Sequence, residues 1–255
     1  MEYVINVKIN SEYINMEDDC MKLFLTSVVN NCLENIESFK EIINSQTNLV
    51  ILPFSYSKKY INNSEDIINH FDRDFNNKDS IYWKTAAPFI NAGINPDKIY
   101  VVNQYSDPIE LIKHKITRDN TVIYLPGGYP ENIVENIYKC SLVEAIKSCK
   151  IIVGESAGSM CVFNDFFVYD DRYDYEEYNE YKGLNLLNKA TLIPHLNKEN
   201  DEMLYACGRF KKNHRMTKVY CIEDGGYMIY NNNKLVKAHK TYIYKRKSRN
   251  QYKLI

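Results

Sequence analysis

Residues 150–163, KIIVGESAGSMCVF, decide how the rest of the chain is read. Lys150–Val153 is a short, β-branched apolar run, as a buried strand is. Gly154 ends it, and Gly154-Glu155-Ser156-Ala157-Gly158 then spells G-x-S-x-G. A helix is expected over Ser159–Phe163. Strand, sharp glycine-flanked turn and helix are the setting in which a serine hydroxyl projects clear of a sheet. Small neighbours let the chain double back. The Ala157 amide then lies at a helix start, where unpaired donors favour a developing anion. The competing reading is a tight turn in which Ser156 only caps the helix.

Working outward, the same rhythm recurs. Met21–Thr26, Leu49–Phe54, Lys98–Val102 and Thr121–Leu125 read as short apolar strands. Between them, helices are expected over Val28–Ile43, Asn63–Phe75 (with Ser64 as N-cap), Trp83–Ala92, Pro108–Lys115 and Pro130–Cys149. Continuous apolar strands alternating with amphipathic helices imply a parallel sheet covered on both faces. The fold class is therefore α/β, a three-layer αβα sandwich with a mainly parallel central sheet. Past residue 164 the pattern changes. Asp165–Tyr181 is acidic and tyrosine-rich and reads most simply as a solvated loop, the alternative being a lid that attracts a cationic substrate. A strand at Ala190–Ile193 and a helix over Lys198–Lys212 follow. Val219–Ile222, Tyr227–Tyr230, Lys234–Ala238 and Thr241–Lys245 then read as strands joined by turns at Asp224-Gly225-Gly226 and Asn231-Asn232-Asn233, a C-terminal β-hairpin extension. Within residues 1–19, Tyr3–Ile9 is an extra edge strand or a lead-in. With no repeat or linker in view, one domain over residues 1–255 is expected.

Composition excludes several function classes. The 32 basic residues balance 33 acidic ones, so a dedicated nucleic-acid binder is not expected. Nor is there a basic excess to attract a membrane surface. No apolar run approaches the roughly 18–20 residues of a membrane span. The N-terminus has no apolar signal core, so a cytoplasmic protein is expected. The seven cysteines are odd in number and lack zinc-ligand spacing, which points to reduced thiols and no metal site. No organic cofactor is implied either, and a homodimer is left open.

Ligands of such sheets bind beyond the carboxyl ends of the strands. Both Pro126-Gly127-Gly128-Tyr129-Pro130-Glu131 and the Ser156 turn lie there. Two glycines allow close backbone approach, so the Gly128 amide is a candidate second donor of an oxyanion hole beside Ala157. The plainer alternative is a chain reversal. A serine nucleophile also needs a base. Of five histidines, His70 and His114 lie in expected helices, while His214 and His239 sit among basic residues and read as solvated. His195 follows a short strand and Pro194, a place from which it can reach a neighbouring strand end.

A serine in G-x-S-A-G after a glycine-pair loop, with Pro-His about forty residues on, resembles the dipeptidase E and cyanophycinase family of serine peptidases. Gly183-Leu184-Asn185-Leu186-Leu187 and the late turn Ile222-Glu223-Asp224-Gly225-Gly226 are similar to stretches of that family. The resemblance runs from about Cys20 to Tyr244. It implies a class I glutamine amidotransferase-like fold with serine in place of cysteine, and a small peptide substrate. Two placements of the acid are open. Glu223 matches the late turn and directly follows a strand, which suits a rigid orienter. Asp171 lies fifteen residues after Ser156, but within an acidic run. Glu223 is preferred. Tyr129-Pro130-Glu131 departs from the family and looks more like the loop of cobyrinate-type amidotransferases, which bears on substrate more than on reaction. The expectation is a serine peptidase with Ser156, His195 and Glu223 as catalytic residues and Gly128 and Ala157 as oxyanion donors. The alternative is a catalytically inactive small-molecule-binding or regulatory member of the same fold.

Overall fold

Each apolar run becomes a strand of one sheet. The protein is described by a computed structural model that covers residues 2–7, 20–31, 33, 36–57, 59–71, 80–169, 177–197 and 200–246. Its strands are β1 (Glu2–Asn6), β2 (Lys22–Thr26), β3 (Asn48–Ile51), β4 (Ile99–Val101), β5 (Thr121–Leu125), β6 (Ile151–Glu155), β7 (Asp165–Val168), β8 (Asn179–Lys182), β9 (Ala190–Ile193), β10 (Lys218–Asn231) and β11 (Lys234–Arg246). The main sheet runs β1-β11-β10-β2-β6-β5-β3-β4, with β9 also paired to β10. Its central portion, β2-β6-β5-β3-β4, is parallel throughout. The expected edge strand is β1, antiparallel to β11.

Side chains of a strand alternate between faces, and here both faces are apolar. Leu23, Val50, Ile123 and Ile152 enter one core, while Phe24, Ile51, Tyr124 and Val153 enter the other. Helices α1 (Glu37–Lys40), α2 (Ser64–His70) and α3 (Ile81–Asn91) cover the second face through Phe39, Ile67 and Phe89. Helices α4 (Ile109–Ile116), α5 (Pro130–Lys139), α6 (Val143–Ser148), α7 (Ala157–Met160) and α8 (Asp201–Asn213) cover the first. This is the expected αβα arrangement.

Several elements differ from the sequence reading. The single helix expected over Pro130–Cys149 is two, α5 and α6. Ser141 adopts φ 51°, and the amides of Ser141 and Leu142 bond back to Tyr138 and Ile137 at 3.0 Å each. That is a Schellman stop with serine where glycine is usual, so its sequence signal was missing. The helix expected over Val28–Ile43 becomes a 3₁₀ turn at Val29–Asn31 and the short α1. The cap of α2 is Asn63, whose side chain accepts from the Asp66 amide, rather than Ser64. The acidic stretch begins as β7, which pairs with β8 and buries Phe166 and Phe167.

The largest difference lies near the C-terminus. The four expected strands are two long ones, β10 and β11. Asp224-Gly225-Gly226 does not reverse the chain. It forms a bulge: Ile222 pairs with Thr241 and Tyr227 with His239, so four residues of β10 oppose one of β11. Before the bulge β10 runs parallel to β9, and after it antiparallel to β2. The carboxyl ends of β2 and β9 therefore converge on the bulge from opposite directions.

Candidate active site

The turn from β6 into α7 holds Ser156 at φ 47°, ψ −110°. A non-glycine residue in such a conformation costs about 1–3 kcal/mol and persists only where its surroundings enforce it. Close packing enforces it here. A Cβ on Gly158 would lie 1.9 Å from the Leu125 carbonyl oxygen, so the turn abuts the end of β5. Ser156 N–H donates to the Thr26 carbonyl at 2.9 Å. The buried Ser159 hydroxyl accepts from the Thr26 amide at 3.0 Å. The turn is thereby tied to β2, and the Ser156 side chain is left at the rim of the sheet.

His195, just past β9, also has a left-handed backbone, φ 56°. Its Nε2 lies 2.9 Å from Ser156 Oγ. Its Nδ1 lies 2.7 Å from Asp224 Oδ1. A carboxylate can only accept, so Nδ1 carries the proton and the Nε2 lone pair faces the Ser156 hydroxyl. The imidazole is about half exposed, at 49%. Asp224 also accepts from the Ser27 hydroxyl at 2.7 Å. Partial burial pushes the Asp224 carboxyl up, but the bonds from Ser27 and His195 and the imidazole charge outweigh it, and the group titrates below its ordinary 3.8.

The carboxylate on the imidazole is Asp224, the neighbour of the Glu223 that the sequence reading prefers. Adjacent residues of an extended chain project in opposite directions, and the bulge decides which of them is aimed at β9. Asp171 lies outside the described residues. Asp224-Gly225-Gly226 was visible in the sequence, and a glycine pair inside a strand pattern signals a bulge as readily as a turn. Ser27 carried no sequence signal. Of the other histidines, His214 is stacked on Phe210 and bonded to Glu180 at 2.8 Å rather than simply solvated.

The glycine loop after β5 closes the other side. Gly128 has φ +136°, and a Cβ there would lie 2.7 Å from the Ser55 carbonyl oxygen. Ser55 clasps the loop: its hydroxyl donates to the Gly127 carbonyl at 2.6 Å, and its carbonyl accepts from the Tyr129 amide at 2.8 Å. A Cβ on Gly127 would meet Ser156 Cβ at 3.4 Å, so the loop lies against the serine. Neither the Gly128 nor the Ala157 amide donates to another described residue. Glu155 is anchored by the Val29 amide at 2.8 Å and by the Tyr124 hydroxyl. Among the described residues, no three His, Cys, Asp or Glu side chains converge as metal ligands would. No described helix is long and apolar enough to cross a membrane.

Comparison with known proteins adds a family to this geometry. The family model for peptidase family S51 matches residues 75–238, more than half of the chain. A candidate peptidase E protein from Listeria monocytogenes EGD-e superposes with a TM-score of 0.57 at 18% identity, over 90% of this chain and 100% of that one. A peptidase from an acI-B1 Actinobacterium gives 0.54 at 15% identity, over 85% of this chain and 86% of its own. At such identities the two likenesses speak to the fold. No curated protein matches the chain.

Proposed function

This chain belongs to peptidase family S51 and is a serine peptidase, and from that premise we propose that Ser156, His195 and Asp224 are its catalytic triad. The observation that carries the proposal is the unbroken relay from Ser156 Oγ to His195 Nε2 at 2.9 Å and from His195 Nδ1 to Asp224 at 2.7 Å. Ser156 Oγ attacks the scissile carbonyl carbon as its proton passes to Nε2. The oxyanion that forms is met by the Gly128 and Ala157 amides. The imidazolium then gives its proton to the leaving amine, and the acyl-enzyme remains. Water attacks next, His195 takes its proton and passes it to Ser156 Oγ as the acyl bond breaks, and the acid product leaves. Asp224 stays ionised, keeping the productive tautomer. A positioned base supplies about 10²–10⁴-fold and one oxyanion donor about 10²–10³-fold.

The substrate class we propose is a small peptide or isopeptide, aspartyl-linked ones included. The resemblance of the G-x-S-A-G and Pro-His segments to dipeptidase E supports this choice. An inactive binding member would keep the turn but lack a base in reach, and the 2.9 Å contact speaks against it. The test is labelling with a fluorophosphonate probe, followed by a dipeptide panel that includes β-aspartyl substrates. Ser156 is expected to be the labelled residue, and Ser156→Ala is expected to lose both labelling and turnover while melting as the wild type does. Folded wild type that neither labels nor hydrolyses any member of the panel sinks the reading.

A further inference from the structure

Ser27, the first residue after β2, is fully buried at 0% exposure, and its hydroxyl lies against both partners of the proposed relay. It accepts from the His195 main-chain N–H at 2.8 Å. It donates to Asp224 Oδ1 at 2.7 Å. It also stands 3.1 Å from His195 Nδ1. A hydroxyl has one proton and two lone pairs, so these contacts can be sorted. The amide can only donate, which fixes one lone pair. The single proton goes either to Oδ1 or to Nδ1. If it went to Nδ1, that nitrogen would lack its own proton and two lone pairs would face each other across 2.7 Å. The proton therefore goes to Asp224, and Nδ1 keeps its own.

We infer that Ser27 is a positioning residue for this site, locking base and acid together as one unit. The inference rests on the triad reading above and adds to it a side chain from a third strand. Two features of the backbone explain the need. His195 sits in a left-handed conformation that no regular element supports, and the Ser27 hydroxyl is the partner of its amide. Asp224 sits in a bulge, where the strand ladder is interrupted and does not fix the direction of the side chain. One buried hydroxyl ties both to the end of β2, which is itself bonded to the Ser156 amide through Thr26. The nucleophile, base and acid thus share a single strand end as their reference point.

The experiment compares wild type with Ser27→Ala, Ser27→Cys and Ser27→Thr. A hydrogen bond to a charged group predicts a fall in kcat of about 10–10²-fold for Ser27→Ala, with KM little changed. The acid limb of its pH profile should move to higher pH, because Asp224 has lost a donor to its charged form. Ser27→Thr keeps the hydroxyl and should restore most of the rate. Ser27→Cys keeps the bulk but donates weakly, and should resemble alanine; it answers the question if Ser27→Ala does not fold. Because Ser27 and Asp224 belong to one unit, the loss in Ser27→Ala/Asp224→Asn should fall well short of the product of the two single losses. Independently of turnover, the downfield proton resonance of Nδ1 should shift or broaden in Ser27→Ala. An unchanged kcat and acid limb in Ser27→Ala, or losses that multiply in the double variant, overturn the inference. A wild type inert to fluorophosphonate sinks the hydrolase reading instead, and the resonance then still decides whether Ser27 sets the imidazole.

Discussion

The turn at Ser156 and the bulge at Asp224 do similar work by different means. In each, a strand reaches glycines, leaves its regular course and presents a side chain of the proposed triad at the rim of the sheet. The turn is built mostly from nearby pieces: the end of β6, two glycines and the first turn of α7, seated on the end of the adjacent β5. The bulge is built from distant ones. Asp224 meets His195 across 29 residues and Ser27 across 197. A locally enforced conformation leaves its mark in a local pattern of residue types, whereas a conformation enforced by converging strands leaves only glycines that could equally mean a turn.

The sharpest way to break this comparison is to add one methyl group to each region. At Gly158 the new Cβ would lie 1.9 Å from a backbone oxygen of β5, which cannot swing aside. Gly158→Ala should therefore lose activity altogether and destabilise by about 3 kcal/mol or more, a fall in Tm of roughly 6–12 °C. At Gly226 the new Cβ would meet the Ile222 Cγ2 methyl at 2.7 Å and the Glu223 and His239 carbonyl oxygens at 2.8 and 2.9 Å, overlaps that are milder than the one at Gly158. Gly226→Ala should therefore also destabilise, but by less than Gly158→Ala. If Gly226→Ala proved the more damaging in thermal melts, the bulge would be the more tightly enforced of the two.

The next effect sharpens the assignment of the acid. Asp224→Asn keeps the shape but can present an amide to Nδ1 and favour the wrong tautomer, so kcat should fall by roughly 10²–10⁴-fold. Glu223→Gln, one residue away, should change it by about twofold or less. Steady-state kinetics on whichever dipeptide the panel selects gives both numbers. A large loss in Glu223→Gln with a mild one in Asp224→Asn would restore the assignment that the sequence favoured.

What could be read from the residues follows the same division. The parallel strands announced themselves because each is buried on both faces and so is apolar at successive positions, as Leu23, Phe24 and Leu25 are. That Ser156 and His195 can meet was legible from their places at strand ends. The break at Ser141 was not, because serine occupies a left-handed stop that glycine usually marks. β10 was read as two strands, since Asp224-Gly225-Gly226 has the composition of a turn. Only pairing with β9 on one half and β2 on the other makes it continuous. Ser27 was invisible for a simpler reason: a serine after a strand is ordinary, and its meaning arises only where β9 and the bulge arrive beside it.

The smallest effect concerns acid stability and tests whether the bulge is held by charge at all. The Asp224 carboxyl titrates below its ordinary 3.8, so it releases its proton more readily folded than unfolded. By linkage, the stability it contributes is fully present above that ordinary value and is lost as pH falls through the lower folded one. The side chain is 58% exposed, and solvent screens most of the attraction. Wild type should therefore melt only on the order of 1 °C above Asp224→Asn at neutral pH, and the gap should close as the pH drops below about 4. The Ser156 hydroxyl itself carries no charge, and the melting difference between wild type and Ser156→Ala should change less over the same range. A gap for Asp224→Asn that persisted unchanged into acid would mean that the bulge is shaped by its glycines and strand pairing alone, and that the ionised carboxylate serves the imidazole without helping to hold the fold.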